Sequence, residues 1–162
     1  MKPAVLDTLD QNILAYLQKD GRITFVDLAA RLGVSEGTIR KRVKRLEETG
    51  VVNTMGVTDP LKMGLDTVAF IWFKIDRLHM ASVIEKLRNL QAVRYLVVTT
   101  GSHDLVAMVV LPDRQHLITL LNEKLAQIEG IVSTETSIVL HIHKQIHDWS
   151  PFLLAEQDGG DS

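Results

Sequence analysis

Residues 23 to 52, ITFVDLAARLGVSEGTIRKRVKRLEETGVV, constrain what this chain can fold into more than any other stretch. The pattern predicts two short helices joined by a tight turn. Thr24 is placed to cap the first, with Asp27 three residues on as the acidic partner of a capping box. Leu28, Ala29 and Leu32 give that helix one apolar side, and Gly33 ends it, leaving Val34 to plug the turn. Ser35 then caps a second helix that runs to about Thr49, with Gly50 as its stop. Ile39, Val43 and Leu46 fall at i, i+4 and i+7 of this second helix and define a narrow buried stripe.

At about 100° per residue, Gly37, Lys41, Lys44 and Glu48 point away from that stripe. Arg40 and Arg45 flank the outer face, Thr38 sits at its edge, and Arg42 lies closer to the buried side. Five Lys or Arg within residues 40–45 is more positive charge than a solvated face needs. A helix-turn-helix whose second helix reads DNA accounts for it. The overall charge of −2 argues against a DNA binder only until it is divided. Residues 1–50 carry nine Lys/Arg and seven Asp/Glu, or +2; residues 51–162 carry nine and thirteen, or −4. Positive charge is therefore local, as expected for a modular protein with one binding surface.

Residues 33 to 52 resemble the recognition region of the Lrp/AsnC (leucine-responsive, or feast/famine) regulators. In that family a Leu-Gly-hydrophobe-Ser turn precedes a helix ending Arg-Val-Lys/Arg-Arg-Leu-Glu-x-x-Gly-Val-Ile. Here Leu32 to Ser35 and Arg42 to Val52 follow that pattern. Upstream, LDTLDQNILAYLQKDGR is similar to the family's first helix, and Thr8 to Lys19 is expected to be helical behind an Asp7 N-cap. Residues 51 to 66 read as a link: VVNTMGVTDP has the β-branched content of a strand or short wing, closed by Asp59-Pro60, and LKMGLD is a short turn.

From Asp66 the pattern becomes strand, helix, strand, twice. TVAFIWFKI (67–75) is a strand, and Met80, Val83, Ile84, Leu87 and Leu90 set a helix of about twelve residues. Strands follow at 93–100 and 105–111, then a helix opened by Pro112-Asp113 and carrying Leu117, Leu121, Leu125 and Ile128. Gly130 ends it before a last strand at 131–146. The fold class is therefore α+β: an N-terminal helix-turn-helix (winged-helix-like) domain plus a C-terminal ferredoxin-like βαββαβ sandwich. The expected division is 1–52 for DNA binding, 53–66 as linker, 67–147 as regulatory and oligomerisation domain, and 148–162 as C-terminal tail. Within the tail, DWSPFLLA has the apolar content for a short packed turn and helix, and EQDGGDS reads as disordered.

Both faces of the central strands are apolar. Val68, Phe70 and Trp72 oppose Ala69, Ile71 and Phe73, while Leu105, Ala107, Val109 and Leu111 oppose Val106, Met108 and Val110. Helices cover one face, so the other predicts a homodimer, with a monomer covered by its own tail as the alternative. The resemblance extends this to the octamers that the family often forms.

The loop Thr100-Gly101-Ser102-His103-Asp104 has the composition of a tight hairpin turn. The resemblance assigns it more. Lrp/AsnC proteins carry a Thr-Gly-x-Tyr/His-Asp motif here, lining an amino-acid effector pocket between subunits. Thr100, Gly101, His103 and Asp104 match it, with His in place of the commoner Tyr. Loop amides suit a carboxylate, and Asp104 an α-ammonium. Thr134 and Thr136, in a stretch resembling the pocket wall, are further effector-binding candidates. On the final strand His141 and His143 share a face, but with His147 they lack a clear third ligand, so no metal site is assigned.

No catalytic motif stands in a catalytic context: the G-x-S-x-G at Gly33 to Gly37 is the turn between two helices, with no strand before it, and there is no H-E-x-x-H or P-loop. Sirohaem decarboxylases share the two-domain plan and form the enzyme alternative, but they do not need a strongly basic recognition helix. A DNA-silent interaction module is a third class. With no cysteine, no apolar signal core at the N-terminus and no membrane-length apolar run, a cytoplasmic protein without cofactor is expected. The DNA-binding candidates are Ser35, Thr38, Arg40, Lys41, Lys44 and Arg45. Among them Thr38, Lys41 and Arg45 are base readers of double-stranded DNA, and Arg40 and Lys44 mainly phosphate contacts.

Overall fold

The computed structural model describes residues 4–144, which divide into two compact units, one reaching Val57 and one spanning Thr58–His143. In the first, helix α1 (Thr8–Lys19) opens on a reciprocal capping box. The Asp7 carboxylate accepts from the Asp10 amide at 2.9 Å, and the Asp10 carboxylate accepts from the Asp7 amide at 3.2 Å. Helix α2 (Phe25–Leu32) is capped by the Thr24 hydroxyl and ends at Gly33; helix α3 (Glu36–Glu48) is capped by Ser35. The stripe Ile39, Val43 and Leu46 packs into one core with Ile13, Leu14, Leu28 and Ala29. Truncating one of these buried leucines to alanine carries a cost of about 2–5 kcal/mol, so α3 is held firmly on its inner side.

Residues 52–59 form no strand, which corrects the expectation of a strand or wing there. Its β-branched residues favour extension, but extension becomes a strand only where a partner ladder takes the amides, and none does so among the described residues. A 3-10 turn, Leu61–Met63, leads into the second unit.

That unit is a four-stranded antiparallel sheet in the order β2-β3-β1-β4, built from β1 (Thr67–Ile75), β2 (Val93–Val98), β3 (Leu105–Leu111) and β4 (Ile131–Ile138). Helix α4 (Met80–Arg88) continues a 3-10 turn at Arg77–His79, and α5 (Arg114–Thr119) follows β3. The core is Ala69, Ile71, Phe73 and Ile75 of β1 and Leu105, Ala107, Val109 and Leu111 of β3, under Val83, Leu87, Leu117, Leu120 and Leu125. On the other face Phe70 lies opposite Met108 and Trp72 opposite Val106, and all four are half-buried.

Two details depart from the sequence reading. The second helix does not continue as α-helix to Ile128: after Thr119 it widens into a π turn (Leu120–Lys124) and then a 3-10 turn (Leu125–Gln127). The inserted residue seats Leu120 in the core, and Leu121, where the i, i+4 pattern falls, packs against that core half-buried. The last strand stops at Ile138 instead of 146, so His141 and His143 lie beyond it as exposed residues with ring centroids 4.6 Å apart. Beyond Val139, whose amide still reaches Val68 at 2.8 Å, the chain leaves the ladder. His147 and the tail expectations, including Trp149 and Phe152, fall outside the described residues.

Candidate nucleic-acid interface and effector loop

The outer side of α3 carries Ser35, Thr38, Lys41, Lys44 and Arg45 along one shallow groove. The Ser35 hydroxyl caps the helix by accepting from the Thr38 amide at 3.1 Å and lies 2.9 Å from the Thr38 hydroxyl. Arg40 pairs with Glu36 at 2.6 Å and lies over the Phe25 ring at 5.3 Å. Lys44 stands 3.8 Å from Glu48, and Lys41 is exposed with no ion pair among the described residues. Exposed pairs of this kind contribute little, so Arg40 and Lys44 can exchange a carboxylate for a phosphate at small cost.

Arg42 and Arg45 differ. Both reach back to α1: Arg42 to Asp7 and, at 3.2 Å, to Asp10, and Arg45 Nη2 to Asp10 Oδ2. The Asp10 side chain is wholly buried, while Arg45 is 47% exposed. Sequence reading had made Asp7 a helix cap and given Asp10 no role. Nothing local signals a contact between residues 35 apart. The lean of Arg42 toward the buried side is as expected, with a carboxylate pair as its partner.

The effector-loop candidates Thr100, Gly101, His103 and Asp104 lie together between β2 and β3. The Thr99 amide donates to the Asp104 carbonyl at 2.9 Å and closes the turn, which Gly101 rounds at φ +110°. The Asp104 carboxylate accepts from the Ile75 amide at 2.9 Å and from Lys74 Nζ at 3.3 Å. The Ile75 amide, reinforced by Lys74, holds the Asp104 carboxyl below its ordinary value of 3.8. The Asp7 carboxyl is held low too, by the Asp10 amide and then by Arg42.

Both groups bind protons less readily folded than unfolded. Each gives its full stabilisation above the unfolded value and loses it as pH falls through the lowered folded one. The urea midpoint should therefore stay level from neutrality to about pH 5 and fall below about pH 4. Asp104→Asn should flatten part of that acid slope, as urea melts across pH will record.

Thr134 and Thr136 are not brought beside His103. They lie opposite Phe73 and Ile71, on the helix-covered side, whereas Glu135 lies opposite Trp72 on the other. Glu135 is the residue that meets His103, at 3.5 Å from Nε2. A bulge is the cause. Register shifts between Lys74 and Ile75, so Ile131 pairs with Ile75 but Ser133 with Lys74, and Thr134 and Thr136 return to the side of Ile131.

Residues 6–53 match the family described as winged helix-turn-helix DNA-binding, and residues 68–148 match the Lrp/AsnC ligand binding domain. An uncharacterised HTH-type transcriptional regulator of Pyrococcus abyssi is 39% identical over 140 residues, covering 86% of this chain and 89% of its own. Escherichia coli AsnC superposes with a TM-score of 0.81 at 30% identity, over 88% of this chain and 97% of that one. A transcriptional regulator of Neisseria meningitidis, solved as an L-Met complex, gives a TM-score of 0.81 at 26% identity over 88% and 95%. Two matched domains in this order, on a capped cationic helix and a four-stranded sheet, place the chain in the Lrp/AsnC family of transcriptional regulators.

Proposed function

We propose that this regulator binds specific double-stranded DNA as a homodimer or larger homo-oligomer in the cytoplasm, and that an amino acid bound near the Thr100–Asp104 loop modulates it. The observation that carries the reading is the cation-rich outer face of α3, fixed from within by three buried apolar side chains. In a dimer the two copies of α3 enter the major groove at successive half-sites. The apolar face around Phe70, Trp72, Val106 and Met108 supports self-association, since burying it in a second copy removes it from water.

For the effector, the Neisseria relative and its L-Met complex are the support. Its carboxylate would lie on loop amides near Gly101. Its ammonium would meet Asp104 or, more readily, Glu135, because Asp104 already serves Ile75 and Lys74 while the Glu135 side chain is 68% exposed. Thr134 and Thr136 would line a pocket only from the far side of β4.

The test joins two measurements on the full chain. Light scattering should give at least a dimer at micromolar concentration. Calorimetric titration of the twenty amino acids should find at least one ligand, and Glu135→Gln should weaken it about tenfold, as expected for one charge-assisted hydrogen bond. A stable monomer removes the oligomer; the absence of any ligand at millimolar concentration removes the sensing role and leaves DNA binding standing.

A further inference from the structure

Asp10 is the one charged residue among the described residues whose side chain is fully buried, and it is spent on the DNA-facing helix. Its Oδ2 accepts from Arg45 Nη2 and from the Asp7 amide, and its Oδ1 accepts from Arg42 Nη1 at 3.2 Å. A buried carboxylate needs such partners. The arrangement also has a consequence on the outside. Arg45 shares the outer groove with Thr38 and Lys41, at i, i+3 and i+7, and emerges there with one nitrogen already tied down. Its other N–H donors have no partner among the described residues.

We propose that Asp10 is a positioning residue for DNA recognition: it holds the Arg45 guanidinium pre-oriented so that the free donors read the O6/N7 edge of a guanine. The inference rests on the reading of α3 as the groove-entering helix. A guanidinium has a rigid planar fork suited to two parallel hydrogen bonds, and guanine offers two acceptors side by side in the major groove. A free arginine would lose side-chain entropy on adopting that pose. Asp10 makes that loss before DNA arrives. Its charge also subtracts from the field of α3, so Arg45 is less available as a non-specific phosphate contact.

These two effects give a signature that loss of stability alone does not. Asp10→Asn keeps the size and one acceptor oxygen but removes the negative charge. Affinity for random DNA should rise about two- to threefold with the added net positive charge, while preference for guanine at one position of each half-site falls about tenfold. A merely structural role would lower affinity for all sequences together. Arg45→Lys supplies the second variant, since the position is partly exposed and the charge is retained. Its salt dependence should match the native protein, yet the same guanine preference should disappear.

Selection of bound sites from random oligonucleotides, with anisotropy titrations on one selected and one scrambled duplex, reads both. Should Asp10→Asn fail to fold, Arg45→Lys decides alone. Unchanged base preference in Arg45→Lys, or a uniform loss in folded Asp10→Asn, overturns the proposal. A native protein that selects no sequence overturns the proposed function together with it.

Discussion

Raising salt from about 50 to about 200 mM should weaken binding of the selected site by about 10³- to 10⁴-fold, given six to eight phosphate contacts and a slope of about −0.9 per contact. The contact number comes from α3: Arg40, Lys41, Lys44 and Arg45 are exposed, and a dimer presents each twice. With Arg45 tied to Asp10, the phosphate contacts fall mainly to the other three and to the amides at the capped N-terminus of α3. Arg40→Ala should weaken every sequence and reduce the slope by about one per protomer engaged. Lys41→Ala should in addition change which sequence is preferred, because Lys41 shares the groove with Thr38 and has no ion pair among the described residues to hold it aside. Anisotropy titrations at four salt concentrations measure all three slopes. A native slope shallower than about −2 would mean that α3 does not lie along the phosphates.

What could be read from the sequence followed the range of the interactions involved. The three N-caps of the first unit, Asp7, Thr24 and Ser35, are local devices, and each stands where the chain announces it. The two-sided apolar alternation of β1 and β3 is likewise local, and the register places each predicted face as a unit. Where the structure departs from a regular period, one residue is inserted. The π turn after Thr119 seats Leu120 deeper in the core than Leu121, and the bulge beside Ile75 puts Glu135, not Thr134 or Thr136, on the side of His103. Neither insertion has a residue signature of its own, because each is settled by what lies across the core. The link from Asp10 to Arg42 and Arg45 was hidden for the same reason: it joins helices far apart in sequence. The loop from Thr100 to Asp104 was legible as a turn from Gly101 and its polar neighbours, and its match to the family motif made it a candidate for effector binding. That Asp104 is committed to the Ile75 amide belongs to the bulge, and so was out of reach.

Gly130→Ala should be the most damaging single-methyl change in the second unit, at about 2–6 kcal/mol. Two separate costs meet there. Gly130 has φ +99°, a conformation that residues with a Cβ rarely adopt, worth about 1–3 kcal/mol. A Cβ at this position would also lie 2.2 Å from His79 Cβ and 2.8 Å from His79 Cγ, distances at which atoms must move. Neither side can yield freely. The Gly130 carbonyl accepts from the Asp76 amide at 2.9 Å, and His79 Nδ1 lies 3.0 Å from the Asp76 carboxylate. Moving either one therefore disturbs the turn that starts α4. Relief of such overpacking typically costs a further 1–3 kcal/mol or so.

Gly101→Ala is the internal control. Its φ is +110°, but an added Cβ would meet nothing within 4 Å, so only the backbone cost of about 1–3 kcal/mol applies. Thermal melts of the full chain should place Gly130→Ala well below Gly101→Ala in midpoint, at about 4–8 °C per kcal/mol for a unit of this size. If the two variants melt together, the close approach of Gly130 to His79 is not what holds β4 beside α4. The cost would then be backbone strain alone, common to both turns.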